Sequence, residues 1–591
     1  MPDLALLVGG FVIGCLLPRI PGGARARAWF NQVANRRTAA ILLCAGVAML
    51  PRLALLPWLT FPVPAIQDEF SYLLGAQTLA AGRLTNPTPA LWQHFESFHI
   101  NLLPTYQSMY QPAPSLFYAL GIVAGGNPWW GVWLSTGLMC GAICWALQPI
   151  VRPRYALLAG LFCALKFGVY TPYSDSYWGG SVCALGAALT LGACVRLGAE
   201  GPLGARASRP QGNAGWKPAH PGKLWQVLPL ILGVALLANS RIFEGLLFAI
   251  PVGLATVAWM VSQRRVRAFA LAMGLLAMLF AAMGYYNLRG TGHVLQMPYM
   301  ANFQQYHFVR PFLGSGILPR PPYHHASMAR MYEEWEGKPG RLSHTGSGIW
   351  TLTKQKFRFY YKQHFSPLLL LALLGTLGAV APAFRRSNAK DERIGARYQA
   401  AARRLLVYTF WLVVLGLFSV VWWPLSSYPA PLLVSFFGLS VLGIRYLRVA
   451  LRSRRALALN WTRGIMAGLL LLGLGLMVSN TLRGLRHSVQ FPLVWNLERV
   501  RMICDLERRG GRHLVLVKYA ADHPIHEEWV YNGPDIAGEP VILARMMSPG
   551  EDCQLIQRYA GRQVWVLEPD AAGLPTMLVP WGSSPVVPRC P

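Results

Sequence analysis

Two adjacent carboxylates, Asp68 and Glu69, stand at the start of a helix-like run that directly follows an apolar segment long enough to cross a membrane. A carboxylate pair in this position lies at the bilayer surface, where a lipid head group and an acceptor can both arrive. One such group can act as a general base that takes the proton of an attacking hydroxyl. Adjacent helical positions point about 100° apart, so we assign the base to Asp68, with Glu69 beside it. The alternative is that both residues only stabilise the first helical turn through its dipole.

A further external carboxylate, Asp175, lies among three aromatic residues that suit stacking on sugar or prenyl groups: Tyr173, Tyr177 and Trp178. We count Asp175 as a catalytic candidate and the three aromatic residues as substrate-binding candidates. The alternative is that Asp175 caps the next helix and the aromatic residues belong to the interfacial belt.

Four cationic or acidic residues and one histidine complete the candidate substrate-binding set. Arg241 and Glu244 stand at i and i+3 in an apolar hairpin, either as a self-satisfying ion pair or as a phosphate contact with its orienting carboxylate. Lys356 and Arg358 belong to an external cationic stretch that either meets lipid phosphate or forms a solvated face. His94 lies in the first external loop.

A metal centre is not indicated by the histidines. They are scattered, and the adjacent pair His324 and His325 lacks the spacing of a zinc site. We therefore expect no cofactor, although a divalent metal ion is not ruled out by the sequence.

The composition indicates a membrane protein. The chain has 591 residues, of which 54% are hydrophobic and 13% charged, against about 25% charged residues in soluble domains. Repeated apolar runs predict a polytopic α-helical fold with about twelve transmembrane helices. The net charge of +30 arises mostly from short clusters between these runs, as in orientation signals, so nucleic acid is not an expected partner.

The basic clusters predict an orientation in which every short Arg-rich loop lies inside the cell. The span from Thr38 to Leu59 then delivers Asp68 to the outer face, and we predict a multi-pass protein of the bacterial inner membrane with its active site on the periplasmic side. The runs Tyr155 to Tyr170 and Pro367 to Ala383 are predicted spans, whereas Pro114 to Ala124 is too short to span and is predicted to lie in the interface.

Three regions are predicted. They are an extra N-terminal helix with a basic cytoplasmic segment (1–37), a transmembrane region with external loops 60–128 and 287–365 (38–484), and a soluble external α/β domain (485–591). In the last region, strand-like runs at 513–519, 541–544 and 564–567 alternate with helix-like stretches at 494–508 and 550–559.

Three of the ten cysteines lie in the C-terminal region, and the other seven fall inside apolar runs. We predict that Cys553 pairs with Cys590, with Cys504 as the alternative partner of either, because an external domain is oxidising.

An acidic pair opening the first long external loop, an acidic residue in the second loop and more than ten spans together resemble the GT-C fold of membrane glycosyltransferases. The pattern, over about residues 38 to 290, is similar in particular to the protein mannosyltransferase and lipid A aminoarabinose transferase group. The resemblance implies that Asp68 is the base, that Asp175 shapes the site, and that a sugar passes with inversion from a polyprenyl-phosphate donor to a hydroxyl acceptor on a protein, lipid or glycan.

Two other functions remain open at this point. A polytopic transporter or flippase of a lipid-linked or polysaccharide substrate is the main alternative, but such proteins carry functional ionisable residues within their spans and often show repeated halves. A polymerase or ligase of surface polysaccharide would differ only in its acceptor.

Overall fold

The computed structural model describes residues 2–16, 22–199, 224–381, 390–451, 455–490, 495–570 and 578–581. Most of these residues are helical. The helices, numbered along the chain, are α1 (Pro2–Leu16), α2 (Gly23–Asn35), α3 (Arg37–Ala54), α4 (Gln67–Ala80), α5 (Pro112–Gly125), α6 (Trp129–Leu147), α7 (Pro153–Phe167), α8 (Gly180–Ala199), α9 (Val227–Ala238), α10 (Ile242–Ser262), α11 (Val266–Thr291), α12 (Pro298–Tyr306), α13 (Ala326–Tyr332), α14 (Lys338–Leu342), α15 (Gly346–Tyr360), α16 (Leu369–Val380), α17 (Lys390–Ser419), α18 (Leu433–Ala450), α19 (Arg455–Gln490), α20 (Trp495–Arg509) and α21 (Pro549–Arg558).

Eight helices in the described part of the chain are long and apolar enough to cross a membrane, which makes this a multi-pass membrane protein. The helical stretch Gly346–Phe365 and α16 form a ninth span if they are counted together, although they meet at a bend of 90°. Shorter apolar helices occur at Ala5–Leu16, Pro112–Gly125 and Val227–Ala238. The polytopic helical fold class predicted from the sequence is confirmed.

Span boundaries differ from the prediction where polar or small residues interrupt an apolar run. The first predicted span stops at Ala54, because Arg52 near its end is buried and hydrogen-bonded inside the protein. The predicted span from Tyr155 is the helix α7, of only 15 residues and with most of its side chains buried among other helices. The predicted span from Pro367 is α16, whose axis is sharply bent from the preceding helix.

The N-terminal helix α1 packs along α19, through glycines that allow the two backbones to approach closely. A Cβ atom added to Gly10 would lie 2.6 Å from the Cα of Gly468. A side chain at Gly10 would therefore push the helices apart, and the close contact explains how a helix too short to span by itself is held in the bundle.

The C-terminal region is a four-stranded sheet with helices, as the strand-like runs predicted. The strands are β3 (His513–Val517), β4 (Val541–Arg545), β5 (Gln563–Leu567) and β6 (Leu578–Pro580), in the order β4-β3-β5-β6. The pairs β3–β4 and β3–β5 are parallel, and β6 adds an antiparallel edge. A two-stranded antiparallel ribbon, β1 (Ile100–Asn101) and β2 (Gln107–Ser108), lies in the first external loop.

The structure tests part of the predicted disulfide pairing in this region. Cys553 is disulfide-bonded, whereas Cys504 is a free thiol, so the alternative pairing through Cys504 is wrong. The predicted partner Cys590 lies outside the described residues, and the Cys553–Cys590 pairing stays a prediction.

Exposed residues on either side of the bundle allow the orientation to be tested. We expect Asp522→Cys, in the C-terminal region, to react with a membrane-impermeant maleimide added to intact cells. We expect Arg264→Cys, in the exposed turn between α10 and α11, to react only after permeabilisation. Labelling of position 264 but not 522 in intact cells would reverse the predicted topology.

Candidate active site

The helix α4 places Asp68 and Glu69 in its first turn and is buried along most of its length. The helix begins after Ile66, which has an extended backbone conformation. Acidic residues in the first turn are favoured by the helix dipole. Both carboxylates are nevertheless more than 90% buried. Burying a charged group is unfavourable, so specific hydrogen-bond donors must stabilise these carboxylates in the folded protein.

Asp68 receives a hydrogen bond from a tyrosine and lies beside a histidine. The hydroxyl of Tyr110 donates to Oδ1 of Asp68, and Nδ1 of His99 lies 3.6 Å from Oδ2. Burial and the Asp68 charge raise the pKa of Tyr110 well above its ordinary value. The tyrosine therefore keeps its proton for the carboxylate, and Oδ2 is the oxygen of Asp68 that no strong donor occupies.

The backbone around His99 is arranged to hold that imidazole in place. His99 has a positive φ of 61°, and its carbonyl accepts hydrogen bonds from Ser71 Oγ at 2.6 Å and from the Met109 amide at 3.1 Å. Burial lowers the pKa of His99, and the nearby Asp68 carboxylate opposes that effect. A neutral imidazole beside Asp68 is the consequence, and its Nδ1 is also 3.3 Å from the Tyr110 hydroxyl.

Glu69 faces a different environment and is held by backbone amides. Its Oε2 accepts from the Ala65 amide at 2.8 Å, and its Oε1 accepts from the Tyr177 amide at 2.9 Å. Burial raises the pKa of Glu69 to about 7, and the backbone hydrogen bonds oppose this rise. Both oxygens are occupied, so Glu69 joins α4 to the loop between α7 and α8 instead of facing open space.

Asp175 forms a buried ion pair with Arg52. The Arg52 Nε lies 2.6 Å from Oδ1 of Asp175, while Oδ2 accepts from the Tyr170 amide and the Ser174 hydroxyl, each at 2.7 Å. Arg52 also donates to the carbonyls of Leu59 and Thr60. This set of contacts favours a structural role for Asp175. The alternative of a helix cap is wrong, because α8 begins only at Gly180.

Arg241 forms no ion pair with a carboxylate within the described residues. Its Nη2 donates to the Ser427 hydroxyl, and its guanidinium lies 4.5 Å from the ring centre of Tyr428. The Nε is buried and has no hydrogen-bond partner. Unpartnered buried donors are uncommon in native proteins and call for an explanation such as an absent ligand.

The ion pair between Arg241 and Glu244 is not formed, although the two charges act on each other across a longer distance. Glu244 is buried in the first turn of α10. Of the two alternatives for this pair, the one in which Arg241 keeps its donors for an anion agrees with the geometry.

Tyrosine side chains lie near both Asp68 and Arg241. Tyr72 stacks on Tyr110 with ring centres 4.4 Å apart and an interplanar angle of 11°. The charges of both Asp68 and Arg241 act on the hydroxyls of Tyr72, Tyr299 and Tyr428. A carboxylate and a cation with an unpartnered donor therefore lie near the same group of tyrosine side chains.

Most of the polar groups on the aromatic residues near Asp175 form hydrogen bonds within the protein. The Tyr173 hydroxyl donates to the Ser426 carbonyl, and the Tyr177 hydroxyl donates to the Pro62 carbonyl. Both are buried. The half-buried Trp178 differs, because its indole N–H is buried without a partner. Of the three aromatic candidates, only Trp178 has a polar group left for a ligand.

The remaining substrate-binding candidates are Lys356, Arg358 and His94. Within the described residues, none of them forms a hydrogen bond or ion pair with Asp68 or Arg241. Lys356 is buried and its Nζ donates to the carbonyls of Leu417 and Val420 at the end of α17, so the alternative of a solvated face does not hold for this residue. Arg358 is exposed. Nδ1 of His94 makes a 2.9 Å hydrogen bond with the Arg545 carbonyl of β4, so His94 joins the first external loop to the C-terminal sheet.

Sequence reasoning missed the residues of the C-terminal region that cover the start of α4. Gln67 donates to the Ile525 carbonyl, and Nδ1 of His526 is 3.4 Å from Oε1 of Gln67. His526 is exposed, and the Asp68 carboxylate acts on its imidazole. No local pattern links positions so far apart in sequence. Tyr110 and His99, by contrast, lie in the first external loop, whose density of aromatic and histidine residues was a usable signal.

Among the described residues, no group of three or more His, Cys, Asp or Glu side chains is arranged to hold a metal ion. The expectation about cofactors stays a prediction.

Several solved structures are similar to this chain. The oligosaccharyltransferase of Archaeoglobus fulgidus, tethered to an acceptor peptide, is 10% identical, with 91% of this chain and 69% of that chain covered and a TM-score of 0.44. ArnT from Cupriavidus metallidurans in the apo state is 14% identical, with 92% and 93% covered and a TM-score of 0.39. The same enzyme bound to undecaprenyl phosphate is 12% identical, with 90% and 92% covered and a TM-score of 0.36.

Because these TM-scores are below 0.5, the predicted resemblance to GT-C fold glycosyltransferases stays a prediction. No family model matches the sequence, and no curated protein does. At these identities and TM-scores no activity passes from the solved proteins to this chain, whose function rests on its own side chains.

The Arg52–Asp175 contact generates a stability prediction. Asp175→Ala leaves the Arg52 guanidinium buried without its counter-ion, which typically costs about 3–5 kcal/mol. We expect a clear fall in the thermal midpoint of the purified protein in detergent. Asp522→Ala, which removes an exposed carboxylate, is the control and should leave the midpoint unchanged. An unchanged midpoint for Asp175→Ala would return Asp175 to the catalytic candidates.

Proposed function

We propose that this chain is an inverting glycosyltransferase that moves a sugar from a polyprenyl-phosphate donor to a hydroxyl acceptor at the outer face of a bacterial inner membrane. One observation carries the proposal. A buried carboxylate, Asp68, and a cation with an unpartnered buried donor, Arg241, lie near the same group of tyrosine side chains.

The acceptor side of the reaction needs a base. The acceptor hydroxyl attacks the anomeric carbon, and Asp68 takes its proton as the new carbon–oxygen bond forms. Tyr110 holds Oδ1, so Oδ2 is the oxygen that faces the acceptor. His99 is neutral and lies beside Oδ2, with its Nδ1 3.6 Å from that oxygen.

The donor side needs no acid, because the leaving group is already a phosphate. The bond between the anomeric carbon and the phosphate oxygen breaks with its electron pair on the phosphate, whose negative charge grows. Arg241 has a free Nε for this charge, and arginine donors bind phosphate oxygens strongly. Attack and departure from opposite sides of the sugar produce inversion.

A membrane-facing groove supports a lipid-linked donor. The groove is lined almost wholly by apolar side chains along α9, with contributions from α8 and α11: Leu189, Trp225, Leu228, Pro229, Ile231, Leu232, Ala235 and Leu275. The helix α9 ends at Ala238, three residues before Arg241. A prenyl chain in this groove would extend toward the guanidinium that receives its phosphate.

Asp68→Asn tests the base. The amide keeps the size of the side chain but cannot accept the proton, so we expect turnover to fall by about 10²- to 10⁴-fold. Donor binding should persist, because Asp68 lies on the attacking side. The assay is transfer from a radiolabelled polyprenyl-phosphate sugar in nanodiscs, with Asp522→Asn as the matched control. Near-normal transfer by Asp68→Asn would exclude this base.

Arg241→Gln tests the phosphate contact. Loss of one charge-assisted hydrogen bond costs about 1.5–3 kcal/mol, so donor affinity should fall by roughly 10- to 100-fold. Arg241→Lys should recover part of the affinity, because it restores the charge without the planar donor set. Lys354→Gln removes an exposed cation and serves as the control. Equal donor binding by wild type and Arg241→Gln would place the phosphate elsewhere.

A further inference from the structure

Five arginines converge at the ends of three helices, on the face of the bundle away from Asp68. They come from the start of α7, the first half of α17 and the last turns of α18: Arg152, Arg154, Arg403, Arg445 and Arg448. The charges of Arg154, Arg445 and Arg448 act on Arg152, and the charge of Arg403 acts on Arg445. We call this group the arginine cluster.

Two of the three helices, α7 and α18, also reach the candidate active site, which fixes the position of the cluster. At its other end α7 reaches Phe167, whose ring centre lies 4.6 Å from that of Tyr173. The helix α18 begins at Leu433, shortly after Ser427, the partner of Arg241. From Leu433 to Arg445 the helix rises about 18 Å. The cluster therefore lies across the hydrophobic layer from the site.

The cluster contains hydrogen-bond donors that the protein does not use. Nε of Arg154, Nε of Arg403 and Nη1 of Arg445 are buried and have no hydrogen-bond partner. Their other donors reach only neutral groups: Arg154 reaches the Tyr155 hydroxyl and Arg403 reaches the amide oxygen of Gln399.

No described carboxylate forms an ion pair with any member of the cluster. The nearest acidic residues along α17 are Asp391 and Glu392. Glu392 precedes Arg403 by 11 positions, about 16 Å along the helix axis. Orientation of the protein in the membrane requires basic residues on this side, but it does not require their donors to be buried together without an acceptor.

The geometry points to a binding site for an anionic phospholipid, whose phosphate head group is held by the arginine cluster in the leaflet opposite the candidate active site. Arg403 and Arg445 lie inside apolar spans, Tyr398–Ser419 and Ala430–Ala450, close to their ends. That depth is where a lipid phosphate lies. Basic pockets between transmembrane helices bind anionic head groups, and arginine donors match phosphate oxygens in pairs. This inference does not rest on the proposed glycosyltransferase activity.

The test measures lipid retention by the full chain with native mass spectrometry, after exchange into phosphatidylglycerol or phosphatidylcholine. Wild type should retain phosphatidylglycerol selectively. The double variant R403Q/R445Q should lose that selectivity by about tenfold or more, as expected for losing charge-assisted contacts. The control R264Q/R267Q removes two exposed arginines from another turn on the same face, and it should retain phosphatidylglycerol like wild type.

Equal retention of phosphatidylglycerol by both double variants would overturn the inference. If R403Q/R445Q does not fold, the test is made on the wild-type protein alone. Its thermal midpoint is measured in phosphatidylglycerol and in phosphatidylcholine, because a bound lipid raises the midpoint. A midpoint raised by phosphatidylglycerol and not by phosphatidylcholine supports the site. A midpoint that is the same in both lipids, or that inorganic phosphate raises as much as phosphatidylglycerol does, refutes a lipid ligand.

Discussion

Burial of two neighbouring carboxylates at the start of α4 is the constraint on which the rest of the site depends. A buried carboxylate without donors is strongly unfavourable, so Asp68 and Glu69 must each be supplied from other parts of the chain. Glu69 takes amides from Ala65 and Tyr177, and Asp68 takes the Tyr110 hydroxyl. These contacts hold three segments around one helical turn: the residues before α4, the loop between α7 and α8, and the residues before α5.

The charged side chains of the site differ in how many of their polar atoms have an ion-pair or hydrogen-bond partner. Asp175 and Arg52 satisfy each other and the surrounding backbone, so neither has capacity for a ligand. Arg241 instead donates one hydrogen bond to the Ser427 hydroxyl, and its buried Nε has no hydrogen-bond partner. This contrast separates a structural ion pair from a cation suited to an external anion.

The sequence was informative where a feature is local and uninformative where a contact joins distant segments. The acidic pair after an apolar run located α4, and the apolar periodicity located most spans and the strands β3 to β5. The burial of Lys356 was missed because its partners, the carbonyls of Leu417 and Val420, lie about 60 positions further along the chain. The engagement of Asp175 was missed for the same reason, since Arg52 is 123 positions away. Charge alone does not indicate whether a residue faces solvent or a helix end.

The C-terminal sheet shares its apolar core with the first external loop. Leu74 of α4 is fully buried in one cluster with Leu514 of β3 and Ile542 of β4, together with Phe95 and Ile100 of that loop. Phe70 packs on Tyr531 with ring centres 4.7 Å apart. Without the sheet, one face of α4 would expose Phe70 and Leu74 to water, and the turn that carries Asp68 would lose the Gln67 contact to Ile525. The C-terminal region therefore supports the helix that carries the proposed base, and the site depends on both parts of the chain.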